Sequence, residues 1–341
     1  MVDRNIFKKK VLALMIILIS LEAFAYEEIY VIGFGSCITE KREQPIWNSI
    51  EKEDLDEFFF MGDNVYGDNP EDGTLENMKE AYSIQQNLFP DWLENIEINA
   101  IWDDHDYGLN DGGYEYIYKD ESQKLFIEFW KIDQNDPRRE REGIYFSKTK
   151  NIYGKKVNLI GLDTRFHRSL LDQNDKPYSP TSNDTSKTML GETQWLWLEN
   201  QISKKADFNI IVSSIQVLAT NHGFEKWENF PHERERLLTL ISRSEIPTLI
   251  VSGDRHKAGI YKKGDLIELT SSSMNKPIPR YISGVWDLFF KETDKLLIGE
   301  MYYQENYGLL TFHKEGKISV QLKDINGEII NSIEIKGSKT P

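Results

Sequence analysis

The chain has 341 residues, of which 39% are hydrophobic, and a formal net charge of −15 at pH 7. This length and composition can form the core of one large, enzyme-sized globular domain, and they exclude a disordered protein. The acidic balance excludes a protein that coats nucleic acid, because such a surface repels polyanions at long range. Small phosphate esters remain possible ligands if local cations recruit them.

The first 25 residues differ from the rest of the chain. Arg4 and three lysines form a basic start, the apolar run 11–21 follows, and Ala23-Phe24-Ala25 has the small-x-small pattern of a cleavage site. We predict a signal peptide over 1–25, followed by one domain over 26–341. The mature protein is expected to be exported, either to the periplasm or out of the cell, and to be a monomer. The alternative is an uncleaved anchor, but the apolar run is about half of the ~20 residues needed to span a bilayer. No later segment of the sequence meets that requirement.

Hydrophobic periodicity and turn residues predict alternating strands and helices, with more strands towards the C-terminus. The predicted strands are 28–36, 57–63, 99–105, 143–147, 156–164, 209–214, 248–254, 259–261, 266–270, 308–313, 317–323 and 327–335. The predicted helices are 45–54, 75–88, 122–132, 191–204 and 233–244. The charged stretch 133–142 is expected to be exposed, and 171–187 is expected to be an insertion loop. This order predicts a sheet-based sandwich flanked by helices.

Three predicted strands end in clusters of potential metal ligands: 60–68 (FMGDNVYGD), 101–108 (IWDDHDYG) and 250–256 (IVSGDRH). Strand ends that meet at one edge of a sheet would bring these clusters to a common site. Gly62 allows a sharp turn that projects Asp63, and Tyr66 can return to the same site. A carboxylate can bridge two cations, and a phenolate suits a trivalent ion such as ferric iron. The alternative is a turn in which Asp63 caps backbone amides and Tyr66 packs.

Cys37 is the only cysteine, so the chain has no internal disulfide. It follows the first predicted strand, at the edge where Asp63, Asp104 and Asp254 are expected. A lone cysteine is commonly a small buried hydrophobic residue. Its position beside these acids favours a metal-bound thiolate.

Two histidines lie close to the predicted acidic ligands. On an extended strand end, Asp104 and His105 would point to opposite sides, which leaves His105 to protonate a leaving oxygen or to orient a ligand. Asp254 and His256 would point to the same side, as two ligands presented together. Arg255 between them would point away and form a salt bridge.

Six motifs in order resemble the PhoD-like alkaline phosphatase branch of the calcineurin-like metallophosphoesterases. They are Gly-Ser-Cys, Gly-Asp-Asn-Val-Tyr, Trp-Asp-Asp-His-Asp-Tyr-Gly-Leu-Asn-Asp, Leu-Asp-Thr-Arg, Gly-Glu-Thr-Gln-Trp-Leu and Ser-Gly-Asp-Arg-His. They extend from about residue 33 to residue 273. The resemblance implies a four-layer αββα sandwich with metals at the strand ends, and hydrolysis of phosphate monoesters or diesters.

The resemblance also implies a site with two cations. A ferric ion would be held by Cys37, Asp63, Tyr66 and His256. Asp63 would bridge to a second cation, calcium or another divalent metal, which Asp104 and Asp254 would also bind. His105 matches the catalytic histidine.

Three further residues fall in these motifs. Asp106 and Asn110 are candidates for contact with the substrate or the outer metal, Asp106 in a catalytic role and Asn110 in substrate binding. Arg165 could clamp a phosphate oxygen, and the alternative for it is structural pairing with an acid.

The chain departs from the wider superfamily at two positions. Ser36-Cys37 replaces the usual Asp-x-His, and the metal-binding histidine expected after 209–214 has no clear counterpart: Ser214 and Gln216 stand there, and His222 is six residues beyond Gln216. These changes make a plain dizinc or dimanganese centre doubtful, because thiolate and phenolate donors change the metal preference.

Two alternatives to a small phosphate-ester substrate remain. One is a phosphodiesterase acting on phospholipid headgroups or cell-wall teichoic polymers, with the aromatic-rich segments 227–230 and 286–290 as an apolar rim. The other is a metal-dependent binding protein that has lost turnover.

Overall fold

The computed structural model describes residues 28–69, 71, 73–172, 184–278 and 293–336. The predicted signal peptide over 1–25 and the aromatic segment 286–290 lie outside these residues. Within the described ranges, no helix has the length and apolar character needed to cross a membrane.

The described residues form thirteen β-strands and six α-helices. The strands are β1 (Ile29–Gly35), β2 (Glu57–Met61), β3 (Glu97–Ile101), β4 (Phe146–Ile152), β5 (Lys155–Gly161), β6 (Phe208–Ser213), β7 (Thr248–Ser252), β8 (Ala258–Lys263), β9 (Leu266–Thr270), β10 (Leu297–Tyr302), β11 (Asn306–His313), β12 (Lys317–Asp324) and β13 (Ile329–Lys336). The helices are α1 (Trp47–Ile50), α2 (Glu76–Leu88), α3 (Asp104–Tyr107), α4 (Lys119–Phe129), α5 (Gly191–Ile202) and α6 (Pro231–Ser244).

The strands form two mixed sheets. Sheet A has the order β13-β12-β11-β1-β2-β3, and sheet B has the order β10-β8-β9-β7-β6-β5-β4. Strands β1, β2 and β3 are parallel to one another in sheet A, as are β5, β6, β7 and β9 in sheet B. The carboxyl ends of these parallel strands therefore lie at one edge of each sheet.

The alternation of side chains along the strands builds the layers of the sandwich. In β2, Phe59 faces sheet B and stacks on Phe146, with 5.8 Å between ring centroids. Its neighbour Phe58 points the other way and contacts Trp47 of α1, with 5.4 Å between centroids. Sheet A therefore buries one face against sheet B and the other against helices.

Sheet B shows the same alternation. Ile211 and Ile250 belong to a buried cluster with Trp195 of α5 and Leu237 of α6. The residues next to them in each strand point the other way and belong to the cluster that fills the space between the two sheets. Helices thus cover the outer faces of both sheets. This arrangement confirms the predicted αββα sandwich.

Most predicted elements exist, with shifted ends. The helix predicted over 122–132 begins at Lys119 and ends at Phe129. The strand predicted over 143–147 is β4, which begins at Phe146 and pairs antiparallel with β5. Strand β10 was not predicted.

The strand predicted over 99–105 is wrong in its second half. The strand ends at Ile101, and Asp104–Tyr107 forms one helical turn. The backbone N–H of Asp103 donates to Asp106 Oδ1 at 2.6 Å, and this contact bends the chain into the turn. The opposite directions expected for Asp104 and His105 on an extended strand therefore do not apply.

Candidate metal centre

Loops that follow strands of both sheets meet at one buried site. Three groups of potential ligands have donor atoms within 4.8 Å of one another: Cys37, Asp63 and His256; Asp63, Asp104 and His105; and Asp103, Asp104 and Asp254. The first two groups share Asp63 and the last two share Asp104. The overlapping groups therefore form a continuous cluster of sulfur, nitrogen and oxygen donors.

The backbone is strained at the residues that form this cluster. Cys37, Asp63, Asp254 and His256 have φ values of 55°, 53°, 69° and 51°, in the left-handed region that side-chain-bearing residues rarely adopt. Such conformations concentrate at functional sites, where the surrounding structure enforces them.

The left-handed conformations of Asp254 and His256 show that the extended geometry expected for residues 254–256 is wrong. Asp254 and His256 belong to different ligand groups instead of pointing together to one side. Arg255 between them is buried, with its guanidinium 4.6 Å from the centroid of the Phe224 ring.

Gly62 allows the loops after β2 and β3 to approach each other. Its φ is 101°, and a Cβ at this position would lie 2.6 Å from the Asp103 Cβ. A side chain here would therefore separate Asp63 from Asp104.

The sulfur side of the centre contains Cys37, Asp63 and Tyr66. The Tyr66 hydroxyl donates to Asp63 Oδ2 at 2.8 Å, and the Cys37 thiol donates to the same oxygen at 3.4 Å. Burial raises the pKa of Asp63 to about 7 and raises the pKa values of Cys37 and Tyr66 well above their usual values. A bound cation would reverse these shifts, because it stabilises thiolate, phenolate and carboxylate.

His256 completes this side of the centre. Its Nδ1 lies 2.6 Å from the Lys276 carbonyl oxygen, which leaves Nε2 to face the cluster. Burial lowers the pKa of His256 to about 4, and the Lys276 ammonium adds to this effect. A neutral imidazole is the form that binds metal.

The oxygen side contains Asp103, Asp104 and Asp254. Asp103 Oδ2 and Asp104 Oδ1 are buried without a hydrogen-bond partner among the described residues. Burial, together with Asp103 and Asp104, raises the pKa of Asp254 well above its usual value. Buried carboxylate oxygens without donors are costly, and a hard cation with oxygen ligands would satisfy them. The residues therefore fit a metal on both sides of Asp63.

His105 lies beside the cluster with an acid behind it. Its Nδ1 is 2.8 Å from Asp68 Oδ1, and its ring centroid is 4.3 Å from that of Tyr66. Burial would lower the pKa of His105, but Asp63, Asp104 and Asp68 outweigh burial and raise the pKa to about 10. The contact with Asp68 orients the ring so that Nε2 is its remaining polar atom.

Asp106 is fully buried, and donors from the two loops surround its carboxylate. Its carboxylate accepts from the backbone N–H groups of Asp63, Asn64 and Asp103 at 3.1, 3.3 and 2.6 Å. The Asn64 amide donates to it at 2.5 Å. Asp106 therefore ties the β2 and β3 loops together, which differs from the catalytic role expected from the motif.

Arg165 adopts the structural alternative. Its guanidinium is fully buried and donates to Asp103 Oδ1 at 2.7 and 2.5 Å and to Glu225 Oε2 at 2.6 Å. Glu225 also pairs with Arg168 at 3.0 Å. Ser214 follows β6, near the position where the superfamily pattern has a histidine. Its hydroxyl donates to Asp103 Oδ1 at 2.5 Å. These contacts hold Asp103, and they occupy the guanidinium expected to clamp phosphate.

The residues named in two other expectations lie away from the cluster. Asn110 is exposed and its amide donates to Asp111 at 2.8 Å. Trp227 and Phe230, expected at an apolar rim, are fully buried in the core under α6.

Three contributors to the site are not among the residues predicted from the sequence. Asp68 and Asp103 stand in two of the six motifs, next to acids that match the ligand pattern more directly. Ser272, whose hydroxyl oxygen is 3.1 Å from Cys37 Sγ, follows β9 in a run of serines with no distinguishing spacing.

The model of the family described as PhoD-like phosphatase matches residues 33–275. The chain belongs to the PhoD-like phosphatase family. Alkaline phosphatase D of Bacillus subtilis (strain 168) is 25% identical over 283 residues, which are 71% of this chain and 48% of that protein. The chain thus spans about half the length of this curated relative.

Solved structures agree with the family in fold. The solved structure of PhoD has a TM-score of 0.68 at 18% identity, over 91% of this chain and 73% of the other. Purple acid phosphatase PPD1 from yellow lupin seeds has a TM-score of 0.60 at 10% identity, over 91% of this chain and 54% of the other. The family resemblance read from the six motifs is confirmed.

Proposed function

We propose that this chain is a metal-dependent phosphoric ester hydrolase that acts on small phosphate esters, as its relative's name, alkaline phosphatase D, suggests. The observation that carries the proposal is the continuous donor cluster, in which Asp63 joins the sulfur side to the oxygen side. Two adjacent cation sites that share a carboxylate are typical of enzymes that hydrolyse phosphate esters.

The donors on the two sides differ, which supports two different metals. Cys37, Asp63, Tyr66 and His256 would hold ferric iron, since thiolate and phenolate favour it over magnesium or calcium. Asp63, Asp104 and Asp254 would hold calcium, which prefers oxygen ligands. Bound cations would supply Lewis-acid activation of water and of the phosphate oxygens.

The chain's own residues would supply proton transfer and hold the reacting groups in position. Asp68 holds His105 Nδ1, so His105 Nε2 would donate a proton to the leaving oxygen. Asp106 and Arg165 would act as positioning residues, the first through backbone amides and the second through Asp103. Asn110, at the exposed margin, is proposed as a substrate contact only when the ester extends beyond the phosphate.

The proposal also covers processing and assembly. The mature protein would be one monomeric domain over 26–341, exported after removal of 1–25. N-terminal sequencing of the secreted or periplasmic protein tests this, and an N-terminus upstream of residue 20 would contradict it.

Metal content and turnover together test the function. The protein purified with iron and calcium should hydrolyse nitrophenyl phosphate, and chelation should abolish this activity. Tyr66→Phe should remove a visible phenolate-to-iron absorption band. Protein that binds neither metal, or metal-loaded protein without turnover on a monoester or a diester, would contradict the proposal.

His105→Ala separates catalysis from metal binding. It should lower kcat by about 10²–10⁴-fold, the range for loss of a general acid, with both metals retained. Unchanged kcat would remove the catalytic role from His105.

A further inference from the structure

Lys276 places an ammonium group beside the donor cluster. Its Nζ lies 3.1 Å from the centroid of the Tyr66 ring. It makes no hydrogen bond or ion pair with any described residue. A lysine that is partly buried usually directs its ammonium to an oxygen or to water.

The backbone around Lys276 is anchored to the loop that carries Cys37. The amide of Asn275 donates to the Thr39 carbonyl at 2.9 Å, and the Thr39 N–H donates to Asn275 Oδ1 at 2.7 Å. The Met274 N–H donates to the Ser36 carbonyl at 3.0 Å. The base of the lysine side chain is therefore positioned by the same loop that presents the thiol.

Burial and the nearby anions act on the Lys276 ammonium in opposite directions. Burial lowers the pKa of Lys276, whereas Asp63, Cys37 and Asp104 oppose this shift. When cations neutralise those anions, the ammonium would be left without a nearby negative charge. A phosphate oxygen would then be its strongest available partner, because charge-assisted hydrogen bonds exceed the attraction of an aromatic ring.

We propose that the Lys276 ammonium binds a terminal phosphate oxygen of the substrate and gives the site a preference for phosphate monoesters over diesters. A monoester dianion has three terminal oxygens, so one remains for the lysine when the cations hold the others. A diester has only two, and its charge is half as large. This inference rests on the proposed phosphoesterase function.

Lys276→Gln removes the charge, and Lys276→Arg restores it. At about pH 8, where a monoester is a dianion, Lys276→Gln should raise KM for nitrophenyl phosphate by roughly tenfold. Its kcat/KM for bis(nitrophenyl) phosphate should stay within about twofold, and Lys276→Arg should recover most of the monoester affinity.

Lys41→Gln is the matched control. The Lys41 ammonium contacts the same tyrosine, but it is already committed to the Tyr66 carbonyl at 2.6 Å and to Glu40 at 3.6 Å. The variant also removes one positive charge, and it should leave the monoester-to-diester ratio unchanged. An equal change of that ratio in both variants would show a general charge effect and overturn the inference.

Calorimetric titration with inorganic phosphate tests the contact without turnover. Metal-loaded Lys276→Gln should bind phosphate roughly tenfold more weakly than the wild type. Equal affinity, or a wild type that binds no phosphate, would overturn the role of Lys276. Phosphate binding that depends on Lys276 in a protein without turnover would instead reject the proposed hydrolase function and leave an anion site.

Discussion

Two clusters of acids lie at opposite ends of the parallel strands, and their charges are balanced differently. At the start of β2 and β3, Glu57 and Glu97 both contact the ammonium of Lys150, which reaches them from β4. At the ends of β1, β2, β3 and β7, the acids around Asp63 lie near two histidines, His105 and His256, and near a buried arginine that pairs with Asp103.

The comparison shows how a metal site differs from a structural ion network. At the first cluster, a protein cation reaches both sheets and satisfies the acids, so the cluster holds the sandwich together. At the second, the carboxylate oxygens Asp103 Oδ2 and Asp104 Oδ1 have no donor among the described residues, and a cation from solution would satisfy them. The same residue types therefore have different functions because their partners differ.

The largest expected effect follows from Asp63→Asn. Removing the shared carboxylate should weaken binding of both metals by more than about a hundredfold, which exceeds the usual cost of losing an outer partner. Elemental analysis after dialysis measures this loss. Glu97→Gln, in the opposite cluster, should keep full metal content. Retention of both metals by Asp63→Asn would contradict the role of Asp63 as a ligand shared by two cations.

Asp106→Asn should weaken metal binding by about 10–100-fold, although Asp106 is not itself a proposed metal ligand. An amide at this position would point its NH₂ group at backbone N–H donors that now bind the carboxylate. Titration of metal into the apo protein measures the affinity, and circular dichroism checks the fold. Wild-type affinity in a folded variant would show that the loops hold their geometry without Asp106.

Lys150→Met should lower the free energy of unfolding by about 2–3 kcal/mol, because Glu57 would be left buried without its cation. Metal content should not change. Lys148→Met is the control: Lys148 pairs with Glu97 at 2.9 Å near the surface, so its loss should cost less than about 1 kcal/mol. Denaturant unfolding of the metal-loaded variants measures both effects, and equal stabilities would contradict the network.

The smallest effect is the pH dependence of the Lys150 cluster. Burial alone would raise the pKa of Glu97, but the contacts with Lys150 and Lys148 outweigh burial and lower this pKa to about 2. This contribution to stability is complete above pH 4.5, the ordinary value, and is lost as pH falls towards 2. It should remain below about 1 kcal/mol, since the carboxylate is partly exposed. The difference between wild type and Glu97→Gln across this range measures it, and an increase towards low pH would contradict the sign.

Regular periodicity made most of the fold predictable, and its absence explains the misses. Strand β10 contains Gly299 in a left-handed conformation and a shifted register between Ile298 and Tyr302, so its side chains do not alternate clearly. The helical turn Asp104–Tyr107 has four residues, about one turn, which is too short to show a helical period.

The candidate site was less predictable than the strands that carry it. The motif residues Cys37, Asp63 and Asp254 could be placed near one another because parallel strands end at one edge. The contact between Asp68 and His105 could not be anticipated, since it depends on how two loops pack.

The layers of the sandwich, the family and the acids at the strand ends can all be predicted from the amino-acid sequence, because they depend on local periodicity and ordered motifs. Which of those acids have protein partners becomes known only from the three-dimensional packing of the loops. It assigned Arg165 to Asp103 and Glu225, Asp106 to backbone amides, and the ammonium of Lys276 to the face of Tyr66. Charge pairing depends on distances between loops far apart in the chain, which no local pattern encodes.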